Sequence, residues 1–146
     1  MKIKDVMTKS VETVRPDQTL QEAASRMKSL DVGPMPVCEN DHLVGMLTDR
    51  DIVVRAAAEG RDVRTTKVRD AMTPDVAVCS EDDDVKDAAD TMKQRQIRRL
   101  VVVDGQKRVA GIVSLGDIAV DTGDEKMSGR VLEEVSRPTR STVPRA

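Results

Sequence analysis

Gly45-Met46-Leu47-Thr48-Asp49-Arg50-Asp51-Ile52 and Gly111-Ile112-Val113-Ser114-Leu115-Gly116-Asp117-Ile118 are two versions of one phrase. Each runs glycine, two apolar residues, a hydroxyl, two variable residues, a carboxylate and isoleucine. The likeness extends outward in both directions, and residues 7–54 return at 72–120. At an offset of 65, Met7/Met72, Thr8/Thr73, Val11/Val76, Ala23/Ala88, Met27/Met92 and Val37/Val102 are identical. One extra residue in the second copy then moves the offset to 66, which aligns Gly45/Gly111, Asp51/Asp117 and Val54/Val120. A repeat of this length is one supersecondary unit that cannot close a core alone and must pack on its twin. Two such units face each other across a pseudo-twofold axis, and the clefts between them are where function is expected.

Each copy reads as β-α-β-β-α, an α/β (α+β) fold. Val11–Val14 alternates as a half-buried strand does. Thr19-Leu20-Gln21-Glu22 is a capping-box pattern, and Leu20, Ala23, Ala24, Met27 and Leu30 follow as one helical stripe. Gly33-Pro34 ends that helix. Met35–Cys38 and Leu43–Leu47 read as strands joined by the turn Glu39-Asn40-Asp41-His42. A second helix is expected from Thr48 to Ala58, with Gly60 as its stop. In the second copy Val76–Cys79 is the strand and Asp84 caps a helix with Val85, Ala88, Ala89 and Met92 on one face. Leu100–Val103 and Val109–Val113 pair across Asp104-Gly105, a hairpin signal, and Ser114 opens the last helix. The division is repeat 1 at 1–58, a linker at 59–67, repeat 2 at 68–121 and a flexible C-terminal tail at 122–146. After Asp121 the pattern dissolves, and the tail is expected to be mostly irregular, with one or two helical turns at most over Val131–Val135.

Composition narrows the function. The chain has 146 residues, 38% of them apolar, and no Phe, Tyr or Trp. Without aromatics there is no stacking platform for single-stranded nucleic acid. A net charge of −2 supplies no basic field for DNA or membrane. Arg130, Arg137, Arg140 and Arg145 scatter charge along the tail without a basic helical face, so nucleic acid is not the expected partner. No apolar run approaches the roughly 18 residues of a membrane span, and Met1–Lys9 has no signal-peptide core, so a cytoplasmic protein is expected. Cys38 and Cys79 read either as a redox pair or half a metal site with His42, or as two small buried strand residues; the second reading is favoured and no metal is expected. No nucleophile, base and orienting group stand at motif spacing, so no catalysis is expected.

The duplicated phrase has its own chemistry. A helix N-terminus offers free amides and a positive dipole end, which suit phosphate. Thr48 or Ser114 at the cap adds a hydroxyl. Asp51 or Asp117, three residues on, can accept from the two hydroxyls of a ribose. The strand glycine lets a ring approach the backbone. The plainer alternative is that Thr48/Asp51 and Ser114/Asp117 are capping boxes that need no ligand.

The pattern Gly-h-h-Thr/Ser-x-x-Asp, closing a β-α-β-β-α repeat that occurs twice and opens each time with Met-Thr, resembles the CBS-domain pair, or Bateman module. The segment at 45–53 is similar to the small stand-alone bacterial CBS pairs of the hypoxic-response type. The resemblance implies an adenine nucleotide (AMP, ADP or ATP) or another adenosyl ligand as effector, with no catalytic cofactor. It implies that Asp51 and Asp117 hold ribose, that Thr48 and Ser114 help hold phosphate, and that adenine lies between aliphatic strand residues and backbone. Arg98 and Arg99 resemble the family's basic segment that reaches phosphate; the plain alternative is a pair of solvated surface charges. The copies differ. Gly33-Pro34 replaces Arg98-Arg99 in the first, and Leu115-Gly116 replaces Asp49-Arg50 in the second. Arg50 beside Thr48 therefore ranks the Asp51 site above the Asp117 site, with unequal affinities expected. The module is expected to act on a protein partner in trans, or to buffer and report ligand. A homodimer is expected because Ile52, Val53, Ile118 and Val120 exceed what one core needs. The alternative is a structural or interaction CBS pair without a working nucleotide site.

Overall fold

The computed structural model describes residues 1–137; Arg140 and Arg145 lie outside the described residues. The strands are β1 (Thr8–Lys9), β2 (Met35–Glu39), β3 (His42–Leu47), β4 (Val78–Ser80), β5 (Arg99–Val103) and β6 (Val109–Ser114). The helices are α1 (Leu20–Leu30), α2 (Asp49–Arg55), α3 (Val85–Arg95), α4 (Leu115–Thr122) and α5 (Glu125–Ser136). Local chemistry accounts for the boundaries. Thr19 and Asp84 cap α1 and α3 through their side chains, and both helices end on left-handed residues, Asp31 and Gln96, which are equivalent positions of the two copies. The β2–β3 turn is left-handed at Asn40 and Asp41, the two-residue geometry that matches strand twist.

The lead segment of each repeat packs on the other repeat. β1 pairs antiparallel with β6, Thr8 opposite Ile112, to give a four-stranded sheet in the order β1-β6-β5-β4. The equivalent contact joins Thr73 to Met46 beside the β2–β3 sheet, with amide bonds of 2.8 and 2.9 Å exchanged in both directions. Ile3 and Val6 are buried in the core of the second half with Val85, Met92, Leu100 and Ile118. Val68 and Ala71 are buried in the core of the first half with Leu20, Met27, Met35 and Leu47. The polar linker is stitched down as well: Leu20 donates to the Thr66 carbonyl and Gln21 to that of Val63.

Several expectations change. After Asp121 the chain does not dissolve, because Asp124 caps α5 and Val131 is buried against the second half. Its stripe is Met127, Val131 and Val135, spaced by four, which fits one helical face. Val11–Val14 is not a strand; only Val14 bridges to Val37. Thr19 accepts from the Glu22 amide, but the Glu22 carboxylate accepts from Gln18 instead of closing a box. α2 ends at Arg55 and tightens into a 3-10 turn at Ala57–Glu59 before Gly60. The Asp104-Gly105 hairpin is longer than two residues, and its left-handed residue is Lys107. Ile118 is fully buried and Ile52 packs on the first core, so Val53, Val54 and Val120 alone remain as surplus apolar surface on these helices.

Candidate functional site

The two duplicated phrases fold alike. The Asp51 amide donates to Thr48 Oγ1 at 3.2 Å, and the Thr48 amide donates to Asp51 Oδ2 at 2.9 Å. The Asp117 amide donates to Ser114 Oγ at 3.0 Å, and the Ser114 amide to Asp117 Oδ2 at 2.9 Å. Both are complete reciprocal capping boxes with Asp in place of Glu. Each box uses one carboxylate oxygen and leaves the other. In the first copy that other oxygen, Asp51 Oδ1, lies 3.9 Å from Arg55 Nε. In the second, Asp117 makes no further hydrogen bond or ion pair among the described residues. The strand glycines have a structural cause. A Cβ on Gly111 would lie 2.4 Å from the Thr8 carbonyl oxygen, and one on Gly45 would lie 2.9 Å from that of Thr73. The close approach is made by the chain's own lead segments, not by a ring.

β5 and β6 bring the basic segment to the second phrase. Arg99 sits directly opposite Ser114, and the Leu115 amide donates to the Arg98 carbonyl at 2.8 Å. Arg98, Arg99, Ser114 and Gly116 line one cavity of about 610 Å³, whose other wall is α5. Arg50 lines no part of it; it is exposed, and its amide donates to the Asp49 carboxylate. The first copy is charged the other way. A Cβ on Gly33 would lie 3.2 Å from Asp49 Oδ1, so a carboxylate stands where the second copy has Leu115.

A second cavity of about 440 Å³ lies between the halves, walled by Val11, Leu30, Val32, Pro34 and Ile112 together with the Thr8–Ser10 segment. Ile112 and Ser114 are two apart on β6 and share its outward face. One strand face thus contributes Ile112 to the aliphatic cavity and Ser114 to the hydroxyl–arginine cavity; Asp117 lines neither. Reading the sequence did not reveal the contribution of α5; the stripe Met127, Val131, Val135 behind the cap Asp124 was the available signal.

The two cysteines are free; Cys79 is buried and Cys38 half-buried. Burial pushes the Cys79 thiol up to about 12, with the Asp83 carboxylate adding to it. Burial, then Asp41, raises Cys38. Neither thiol is activated as a nucleophile. No group of three or more metal-ligating side chains occurs among the described residues.

With this architecture in view, the chain belongs to the CBS-domain family: the CBS domain model matches residues 3–57 and again 68–120. It is 46% identical over 134 residues to the CBS domain-containing protein YhcV of Bacillus subtilis, covering 92% of this chain and 94% of that one. Hypoxic response protein 1 of Mycobacterium tuberculosis is 34% identical over 117 residues, 80% of this chain and 81% of that one. A crystal structure of hypoxic response protein I, described with two coordinated zinc ions, superposes with a TM-score of 0.73 over 82% of this chain and 98% of that one. The CBS pair of protein MJ0100, solved in complex with 5-methylthioadenosine and S-adenosyl-L-methionine, superposes with a TM-score of 0.73 at 29% identity, over 84% of this chain and all of that one. The fold is thus that of a mixed α/β CBS pair, and the adenosyl ligands of MJ0100 show that a pair of this shape holds such molecules.

Proposed function

We propose that this chain is a non-catalytic regulatory module that binds an adenosyl ligand, principally at the Ser114–Asp117 phrase. One observation carries the reading. Ser114 and Arg99 stand opposite each other in one cavity, Ile112 two residues earlier on β6 lines an aliphatic one, and Asp117 keeps a carboxylate oxygen without a partner. Phosphate suits the two arginines and the hydroxyl. Ribose suits the remaining oxygen of Asp117. Adenine suits the space between Val11, Val32, Pro34 and Ile112, which needs no aromatic ring. Arg50 had ranked the Asp51 site first. Charge favours the reverse order: Asp49 repels phosphate at the first site, and Arg55 engages the second oxygen of Asp51.

Occupancy is signalled to a protein partner in trans through the geometry of a homodimer. Exposed Val53, Val54 and Val120 supply apolar surface for a second copy. No helix among the described residues is long and apolar enough to cross a membrane, which accords with work in the cytoplasm.

A second reading rests on the caps themselves. Both carboxylates are accounted for by helix capping, as a structural pair without a nucleotide site requires. A thermal-shift panel of AMP, ADP, ATP, NAD and S-adenosylmethionine separates the two. A ligand that binds only the native state raises the melting temperature by mass action. An adenosyl compound is expected to do so, and no shift from any of the five at millimolar concentration would leave the structural reading standing.

A further inference from the structure

We propose that α5 belongs to the ligand site, with Ser128 completing a cradle for the phosphate end of an adenine nucleotide opposite Arg98, Arg99 and Ser114. The inference rests on the adenosyl reading above and extends it to a segment outside both repeats. Ser128 Oγ is a buried side-chain oxygen without a hydrogen-bond partner, the one such atom among the described residues. A native fold rarely strands a buried hydroxyl without cause. Ser128 lines the same cavity as the two arginines and Ser114. That cavity carries two guanidinium groups against a single carboxylate, the exposed Glu125. Ser128 lines this cationic space with its Oγ just beneath the surface, so a rotation of the side chain brings the hydroxyl to a phosphate oxygen that the arginines also hold. No residue of α5 lines the aliphatic cavity assigned to adenine. Ser128 therefore reads the phosphate chain and not the base, and it favours ligands with more phosphate.

The test is calorimetric titration of the full chain with adenosine, AMP, ADP, ATP and inorganic pyrophosphate. Ser128→Ala is expected to weaken ADP and ATP roughly tenfold, the effect of one hydrogen bond to a charged group, and to leave adenosine unchanged. Because the variant removes an unpartnered buried hydroxyl, the melting temperature of the free protein should stay level or rise. Gly129→Asp supplies the complement. A side chain there meets nothing within 4 Å, and its carboxylate would face the arginines, so ATP and pyrophosphate should weaken more than tenfold while adenosine is retained. If Ser128→Ala binds every phosphorylated ligand as the wild type does, while Asp117→Asn loses them, the α5 inference fails and the adenosyl reading survives. Equal losses for adenosine and ATP would mark a merely structural role for Ser128 and also overturn it. A wild-type chain that binds none of the five removes the α5 inference, and NAD and S-adenosylmethionine in the thermal-shift panel then decide the adenosyl reading.

Discussion

At the scale of single residues, Asp117 caps α4 through one carboxylate oxygen, and the proposed function gives the ligand to the other, so the two roles can be tested apart. Asp117→Asn retains an acceptor for the Ser114 amide but loses the charge. Stability should change by less than about 1 kcal/mol, while affinity for the adenosyl ligand falls roughly tenfold or more. Asp117→Ala loses both, adding about 0.5–2 kcal/mol of destabilisation. Titration beside a denaturant melt reads the two effects, and unchanged affinity in both variants would reduce Asp117 to a cap. Cys79 makes a second residue-level prediction. Its thiol ordinarily ionises near 9.0, and in the fold it holds its proton to about 12. Between these values the unfolded chain binds fewer protons than the native one, so stability is intact below pH 9 and falls as pH rises. Urea midpoints at pH 8 and pH 10 should show the loss, and Cys79→Ala should shrink it; an equal slope in that variant would refute the assignment.

At the scale of elements, the two glycines and α5 matter most. Gly111 lets β1 lie against β6, and an added methyl would meet the Thr8 carbonyl. Gly111→Ala should cost about 1–3 kcal/mol, the usual range for forcing extra volume into a packed site. Gly45→Ala should cost less, because the backbone carbonyl it meets, that of Thr73, lies at 2.9 Å against 2.4 Å at Gly111, and its other close contact is the flexible Met72 side chain. Denaturant midpoints for the pair test the order. α5 is helical because Asp124 caps it and Val131 is buried, and it packs on both α3 and α4. Its position beside the basic segment is held by two polar bonds, from Gln96 to the Glu134 carbonyl and from Arg98 to Ser136. Isolated helices of this length are marginal in water. The tertiary contacts therefore decide that it forms.

At the scale of the molecule, the exchange of lead segments makes the two repeats one folding unit. A fragment ending at residue 62 lacks Val68 and Ala71, and a fragment beginning there lacks Ile3 and Val6, each of which is buried in the other half's core. Neither fragment should fold alone, and the whole chain should unfold in one cooperative transition. Circular dichroism of the separate and mixed fragments checks this, and a native-like spectrum from either one alone would contradict it. The exposed valines bear on assembly. Val120 is 81% exposed and Val53 is 60% exposed, apolar surface that a second copy would take out of water. A wild-type dimer at micromolar concentration, with Val53→Lys or Val120→Lys sedimenting as monomers, is the expected result.

The amino-acid sequence determined the repeat, both capping boxes, the hairpins and the stripes of α1 and α3. All of these depend on residues a few positions apart, so periodicity and cap chemistry suffice to read them. It also brought Arg98, Arg99, Ser114 and Asp117 forward as candidates. Only the tertiary structure decided what those residues face. The pairing of Thr8 with Ile112 spans more than a hundred residues and leaves no local signature, so Gly45 and Gly111 looked like room for a ligand when they are room for the chain itself. The lone stripe of α5 is too short to announce a helix until a partner surface buries it. The contacts on which the proposed order of the two phrases rests were hidden for the same reason: Arg50 is near Thr48 in sequence, but register puts Arg99 across from Ser114 and packing puts Asp49 beside Gly33.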